Sequence, residues 1–169
     1  LMKKHFVKSI NNSVNGTKYM MGRNAMFSNM NDFAWNEKYG NLYMFNTFND
    51  KVLGLQIRLG NVEQGRPRFI SYHYEDIRKK ILKEDEYDVE LAKSIEKISM
   101  IYNILNIDFS KEVPVTVSTI NSKYFQNSVA MWGSNPIPIK NGLYFFDNDD
   151  AGRKASIKML NNGNKVFLW

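Results

Sequence analysis

Cysteine is absent from this chain, and acidic residues are absent from one long stretch of it, residues 113 to 142. The lack of cysteine excludes disulfides, thiolate zinc sites and cysteine nucleophiles. The N-terminus has neither the apolar core of a signal peptide nor a membrane-spanning run, so we expect no contact with a membrane. What remains is an ordinary globular composition of 169 residues, 43% of them hydrophobic and 14% aromatic, which is enough to bury a core.

The charge of the chain favours polyanionic partners, because its formal net charge is +6 at pH 7. Many of the cations lie in a middle stretch where aromatic residues alternate with them. Phosphate-binding cations beside stacking rings suit single-stranded nucleic acid, although the same rings could form the buried face of a strand. The candidate nucleic-acid or phosphate contacts in this stretch are Arg58, Arg66, Arg68, Arg78 and Lys79.

The first part of the chain predicts an α+β segment with a β-hairpin and helices. Residues 1 to 38 have weak periodicity, and we expect irregular structure there with one short helix. Alternating runs then predict two strands joined by a turn at Asn49-Asp50-Lys51. An apolar stripe at spacings of three and four predicts the clearest helix. The predicted elements are strands over 42–48 and 52–58 and helices over 76–83 and 86–105.

After Pro114 the pattern changes to short apolar strands separated by crossovers, which is typical of a parallel α/β sheet. We therefore divide the chain into a basic α+β segment, residues 1–110, and a partial α/β domain, residues 111–169. Because the sequence starts at Leu1 and stops directly after a predicted strand, we expect both ends to be cut from a longer protein. The predicted elements are strands over 115–117, 128–132, 143–146 and 166–169 and a helix over 151–160.

An Asp-x-Asp pair follows the strand predicted over 143–146. Asp147 and Asp149 are two residues apart, so in extended chain they share a face and can converge on one hard cation. Ligands bind at the carboxyl ends of parallel strands, which is where this pair lies. The sequence therefore predicts a magnesium site at Asp147 and Asp149 and, with it, phosphate chemistry.

An Asp-x-Asp after a strand also occurs in other kinds of protein. A calcium-binding EF-hand loop is excluded, because its fifth and twelfth positions would be Ala151 and Lys158. A phosphotransferase with the first Asp as nucleophile is disfavoured by Ala151 and by the lack of its other motifs. A purely structural role remains open, in which Asp149 or Asp150 caps the following helix.

The run Asp147-Asn-Asp149-Asp-Ala-Gly-Arg-Lys-Ala155 resembles the second half of the Toprim domain, the metal-binding fold of primases and topoisomerases. Weaker similarities at 53–58, 68–72 and 127–133 extend the resemblance to DNA primases of large tailed bacteriophages. The resemblance implies a Toprim-like parallel sheet, Mg²⁺ (or Mn²⁺) as cofactor, and single-stranded DNA and nucleoside triphosphates as partners. A replicative helicase is a further implied partner, and the host cytoplasm is the implied location. Arg153 and Lys154 would contact phosphates at the helix N-terminus or else form solvated surface.

One departure from the family affects the predicted activity. By alignment on Ser122 and Asn127, Val117 occupies the position of the glutamate that serves the family as general acid or base, and Asn121 that of an aspartate. Valine transfers no proton, so the catalytic residue is unassigned. We expect a fragment of a phage-type primase, a magnesium-dependent nucleotidyltransferase making RNA primers, with impaired catalysis. The alternative is a non-catalytic Toprim-like module that binds nucleic acid or a replication partner, and a nuclease or topoisomerase activity is the weakest reading.

Overall fold

The computed structural model describes residues 7–63, 65–84, 86–132 and 136–168. The chain divides into two compact units, one ending at Met100 and the other beginning at Ile101. The sequence had suggested a boundary between residues 110 and 111. The stretch from Ile101 onward belongs to the second unit because its first strand pairs within that unit's sheet. The architecture is mixed α/β with one sheet in each unit.

The first unit is built on an antiparallel sheet in the order β1-β2-β3-β4-β5. The predicted hairpin is confirmed as β3 and β4, with the ladder register shifting between Asn46 and Thr47. Its turn residues Asn49 and Asp50 have φ of 47° and 61°, the left-handed conformation that Asn and Asp tolerate best after glycine. The strands are β1 (Val7–Ser9), β2 (Phe33–Asn36), β3 (Asn41–Phe48), β4 (Lys51–Arg58) and β5 (Phe69–Tyr72).

The expectation of irregular structure before residue 39 is wrong in part. The short helix is present as α1 (Val14–Met21), but β1 and β2 are strands of the sheet. They are too short to show an alternating pattern and are held by pairing, β1 with β2 and β2 with β3. Long-range pairing of this kind leaves little local signal.

Two further helices of the first unit pack against β4. The helix α2 (Tyr74–Asp76) continues as a π-helical turn, Ile77–Leu82, and confirms the helix predicted over 76–83. The helix α3 (Val89–Ser99) is shorter than the predicted 86–105. Asp88 caps its start by accepting a hydrogen bond from the Leu91 N–H at 2.8 Å. The buried core below these helices contains Leu53, Leu55, Ile57, Tyr74, Ile77, Ala92 and Ile95.

The second unit contains the predicted parallel sheet, in the order β10-β9-β7-β8-β6. Four strands run parallel, and β6 pairs antiparallel with β8. The strand β6 lies where the sequence predicted the end of a helix, because residues 101 and 102 extend β8's edge. The elements are β6 (Ile101–Tyr102), β7 (Val113–Thr116), α4 (Thr119–Ser122), β8 (Val129–Met131), β9 (Gly142–Phe145), α5 (Asp150–Asn161) and β10 (Lys165–Val166).

The order of the strands places a crevice beside β7. The chain leaves β7 for β8 on one side and then passes to β9 on the other, so the connections after β7 and β9 diverge. In open α/β sheets, ligands bind at such a switch point, outside the carboxyl ends of the strands. Across the described residues, no helix is both long and apolar enough to cross a membrane.

Candidate metal and phosphate site

Asp147 and Asp149 lie in the tight turn between β9 and α5. The turn is tight because the backbone of Gly152 approaches that of Asp147: a Cβ on Gly152 would lie 1.9 Å from the Asp147 carbonyl oxygen. Glycine without a Cβ allows this approach. Both carboxylates are exposed. The Ala-Gly that follows the Asp pair therefore has a structural reason, which is to fold the helix start back onto the end of the strand.

A cavity of about 140 Å³ opens at the carboxyl edge of the parallel sheet, next to this turn. Residues from the ends of β7, β8 and β9 and from the first turns of α5 line it. Val117 lines it together with Asp147 and Asp149, so the position aligned with the family's glutamate and the carboxylate pair meet at one cavity. The described lining residues are Val115, Thr116, Val117, Met131, Pro136, Phe146, Asp147, Asp149, Ala151, Gly152 and Ala155.

Asp149 is the N-cap of α5. Its Oδ1 accepts a hydrogen bond from the Gly152 N–H at 2.7 Å, as the structural interpretation of the sequence had it. An ionised carboxylate has about four lone-pair sites on two oxygens, so capping leaves acceptor capacity for a cation. A capping role and a metal-binding role for Asp149 are therefore compatible.

This site has fewer acidic side chains than a metal centre with a full set of protein ligands. In the part of the chain that the structure describes, no cluster of three or more His, Cys, Asp or Glu residues could hold a metal ion. Val117 contributes an apolar, half-buried side chain where a third carboxylate would complete the set. The two carboxylates present fit a hard cation such as Mg²⁺, which keeps several of its waters and takes one or two protein carboxylates together with phosphate oxygens.

The two cations predicted beside this site differ in their surroundings. Arg153 is an ion-pair partner of Asp150, with 2.6 Å between Arg153 Nη2 and Asp150 Oδ1, and its Nη1 donates to Asn148 Oδ1 at 3.3 Å. Lys154 is exposed and forms no ion pair with a described carboxylate. Lys154 is thus the cation of this pair that is available to a phosphate without breaking an existing contact.

Three of the predicted nucleic-acid contacts in the first unit are paired with local carboxylates. Arg66 Nε lies 3.1 Å from Glu63 Oε2. Arg78 Nη1 lies 3.1 Å from Glu84 Oε2, and Lys79 Nζ lies 2.7 Å from Glu75 Oε1. The hydrogen bonds that Lys79 donates to Glu75 and Tyr87 raise the pKa of Lys79. These cations are largely neutralised by their own neighbours, which reduces the positive field that a polyanion would meet.

Arg58 and Arg68 behave differently, since both line a second cavity of about 280 Å³ within the first unit. Burial lowers the pKa of Arg58, and the nearby guanidiniums of Arg23 and Arg68 lower it further, while Tyr19 opposes them. Among the described residues, none of these three arginines forms an ion pair with a carboxylate. Arg58 also lies over the ring of Phe69, with 5.4 Å from its Cζ to the ring centroid.

Tyr19 and Arg23 are residues that the sequence analysis missed. They come from α1 and the turn after it, in the segment that had been read as irregular and uninformative. Arg23 lies over the Tyr19 ring at 5.5 Å, which is a contact that residues four apart near a helix end commonly make. The spacing of four residues could have indicated the contact between Tyr19 and Arg23, but it does not indicate that they approach β4.

Comparison of the chain with models of known protein families finds no match, and comparison with curated proteins finds none either. The Toprim resemblance therefore depends on the residues quoted for it.

Proposed function

We propose that the second unit is a Toprim-like module that binds Mg²⁺ and a phosphate group of a nucleotide or nucleic acid through Asp147 and Asp149. In this proposal the chain is a piece of a phage-type DNA primase whose nucleotidyl transfer is impaired because Val117 replaces the general acid or base. The observation that supports it is the shared cavity: Val117, Asp147 and Asp149 line one crevice at the switch point of a parallel sheet.

Different residues of the crevice would bind the cation and the phosphate. Asp147 and Asp149 would hold the cation, while the hydrogen bond that Asp149 accepts from the Gly152 N–H keeps that side chain at the helix start. The N-terminus of α5 favours a phosphate oxygen through its free N–H groups, and Lys154 adds a positive charge in the first turn. When bound, Mg²⁺ would neutralise charge on the phosphate.

Val117 limits the chemistry that the crevice can carry out. A side chain at this position cannot accept or donate a proton, and loss of a general acid or base costs about two to four decades in rate. Binding of the metal and phosphate does not need that proton transfer. We therefore propose binding as the retained function, with Arg58 and Arg68 of the first unit as the contacts to single-stranded DNA or nucleotide phosphates.

The experiment that tests the metal site is a titration of the chain with Mn²⁺, followed by electron paramagnetic resonance, with and without ATP. Asp147→Asn and Asp149→Asn should each weaken Mn²⁺ binding by about tenfold or more, because each replaces a charged ligand by a neutral one of the same shape. Asn caps a helix as well as Asp does, so the second variant keeps its fold.

Asp150→Asn is the matched control. Asp150 is an exposed carboxylate in the same turn, it pairs with Arg153, and it is not among the residues that line the cavity. Mn²⁺ binding that falls equally in the control and in the two variants would reduce the effect to general charge and contradict the site. A primer-synthesis assay with Val117→Glu then tests the lost catalytic group, which should raise activity above that of the unchanged chain.

A further inference from the structure

We propose that the first unit carries a separate binding site for a terminal phosphate group, formed by Arg58, Arg68 and Tyr19, with Arg23 beside it over the Tyr19 ring. The ligand class is a phosphate monoester or polyphosphate with a nucleoside attached, either a free nucleotide or the phosphorylated end of a strand. The site lies wholly within the first unit and involves none of the carboxylates of the second. It deepens one part of the function proposed above, the phosphate contacts of Arg58 and Arg68, and it does not rest on the metal site.

The charge of this cavity is the first observation that carries the inference. Arg58 ends β4, and Arg68 directly precedes β5 on the neighbouring strand, with the Leu59 N–H donating to the Arg68 carbonyl oxygen at 2.9 Å. The groups that perturb Arg58 are two further arginines and a tyrosine, with no described carboxylate among them. Like charges gathered without a counterion are unfavourable, and an anion between them removes that repulsion.

The hydroxyl of Tyr19 is the second observation. Tyr19 lines this cavity, and within the described structure its hydroxyl oxygen is shielded from solvent yet has no hydrogen-bond partner. Buried polar groups are almost always paired, so an unpaired one calls for an explanation. A phosphate oxygen ion-pairs with guanidinium groups and, once the side chains that shield the hydroxyl shift to admit it, accepts a hydrogen bond from a phenol O–H, so one ligand group satisfies both observations.

The shape of the cavity favours a phosphate at the end of a molecule over the backbone of a strand passing through. Gly40 and Gly60 form a wall without side chains, where a Cβ on Gly60 would lie 2.3 Å from the Gly40 carbonyl oxygen. The Gly60 N–H is held by Asn41 Oδ1 at 2.9 Å. Both glycines line the arginine cavity, so this close backbone contact forms part of its wall.

A larger cavity of about 620 Å³ adjoins the arginine cavity. The two share Tyr19, Gly40, Leu59 and Gly60. The larger cavity is lined further by Trp35, Asn61, Lys38 and Tyr39. Tyr39 is 57% exposed, and Lys38 Nζ lies over one face of its ring at 5.0 Å from the centroid, which leaves the other face for stacking. An exposed aromatic ring stacks on a base of any sequence, and Asn61 offers both a donor and an acceptor. The combination of phosphate site and ring therefore fits a nucleotide, with the phosphate at the arginines and the base at Tyr39.

The test is calorimetric titration with pyrophosphate, ATP and adenosine at constant ionic strength, in the presence of EDTA. Pyrophosphate and ATP should bind and adenosine should not. Arg68→Gln, which changes an exposed side chain of the cavity, should weaken pyrophosphate binding by about tenfold, the usual cost of one charge-assisted hydrogen bond. Arg23→Gln, which removes a positive charge beside Tyr19, should weaken it by a smaller factor. Tyr19→Phe keeps the ring packed on Trp35, with centroids 5.0 Å apart, and should weaken binding by about threefold or more.

Arg66→Gln is the matched control, since Arg66 is exposed, lies two residues from Arg68 and already pairs with Glu63. Equal loss of binding in Arg66→Gln and Arg68→Gln would overturn the proposal, as would binding of adenosine as tight as that of ATP. Pyrophosphate binding that needs Mg²⁺ and disappears in Asp147→Asn would overturn it as well. That result would leave the metal site of the second unit standing, so the two proposals fail separately.

Two oligonucleotides of one sequence, with a 5′ phosphate and with a 5′ hydroxyl, distinguish the two sources of the phosphate. Tighter binding of the phosphorylated strand than of ATP identifies a nucleic-acid end as the ligand. Tighter binding of ATP identifies a free nucleotide. Equal binding of the two oligonucleotides, together with no competition by pyrophosphate, would contradict a terminal-phosphate site.

Discussion

Replacement of Gly152 by alanine tests the turn on which the candidate metal site depends. The added methyl group would lie 1.9 Å from the Asp147 carbonyl oxygen, and 2.9 Å and 3.1 Å from the Asp147 carbonyl carbon and nitrogen. All three are backbone atoms, so no side-chain rotation relieves the clash. The end of β9 and the start of α5 have to separate by at least about 1 Å before the contact becomes tolerable.

The cost of Gly152→Ala has three parts. Overpacking of this kind costs about 1–3 kcal/mol, and a rigid backbone partner places it near the upper end. The separation also strains the 2.7 Å bond from the Gly152 N–H to Asp149, and loss of an N-cap costs about 1 kcal/mol. Alanine restricts the unfolded chain, which returns about 0.4–1 kcal/mol. We expect a net destabilisation of about 3 kcal/mol.

Gly22→Ala is the matched control for this prediction. Gly22 ends α1 with φ of −62°, and the nearest atom to an added Cβ is the Lys18 carbonyl oxygen at 3.4 Å, an ordinary contact. The same substitution there should stabilise the chain by about 0.4–1 kcal/mol through the unfolded state alone.

Urea unfolding followed by far-ultraviolet circular dichroism measures both variants, and Mn²⁺ titration of the folded protein accompanies it. Gly152→Ala should unfold at lower urea and bind Mn²⁺ more weakly, because the Asp147 backbone has moved. Equal stability of Gly152→Ala and Gly22→Ala would refute the close approach of Gly152 to Asp147. The geometry proposed for Asp147 and Asp149 would then be wrong as well.

Two further predictions concern the same unit. Asp149→Ala should cost about 1 kcal/mol of stability because the Gly152 N–H loses its acceptor, whereas Asp149→Asn should cost much less; equal losses in urea unfolding would contradict the capping role. Tyr144→Phe should cost about 1–3 kcal/mol, because the Tyr144 hydroxyl donates to the Ile137 carbonyl oxygen and accepts from the Ile139 N–H, both at 2.7 Å. Burial raises the pKa of Tyr144, so its contribution to stability is complete below the unfolded-state pKa of about 10 and is lost as the pH rises through the folded-state value. Unfolding measured between pH 8 and about 11 should therefore be less pH-dependent in Tyr144→Phe, and an unchanged slope would count against this assignment.

Local sequence patterns predicted most elements of the structure. The hairpin of β3 and β4 follows from alternation and from a turn pair that tolerates positive φ. The parallel sheet follows from short apolar runs separated by crossovers, and residues such as Val113, Val129 and Tyr144 are fully buried on one face of it. The position of α5 follows from its capping residue.

Elements that depend on distant pairing were missed or misplaced. The periodic stripe continues to Leu105, but α3 ends at Ser99 because Ile101 and Tyr102 pair with β8, a choice that a helical pattern cannot reveal. The strands β1 and β2 were missed for the same reason. Pairing partners override local propensity when the segment is short.

The cations show most clearly what the linear sequence leaves open. The sequence treated Arg58, Arg66, Arg68, Arg78 and Lys79 as one basic segment, because charge density along the chain does not record which carboxylates lie nearby.

By itself, the sequence determined the hairpin turn, the capped helix after β9 and the Asp147 and Asp149 pair, since each depends on interactions within a few residues. The tertiary structure decided that Val117 shares a cavity with that pair and that Arg58 and Arg68 meet Tyr19 and Arg23 without a described counterion. Such groupings depend on how strands separated along the chain pair in the sheets, and the energy of a charge depends on its neighbours in space.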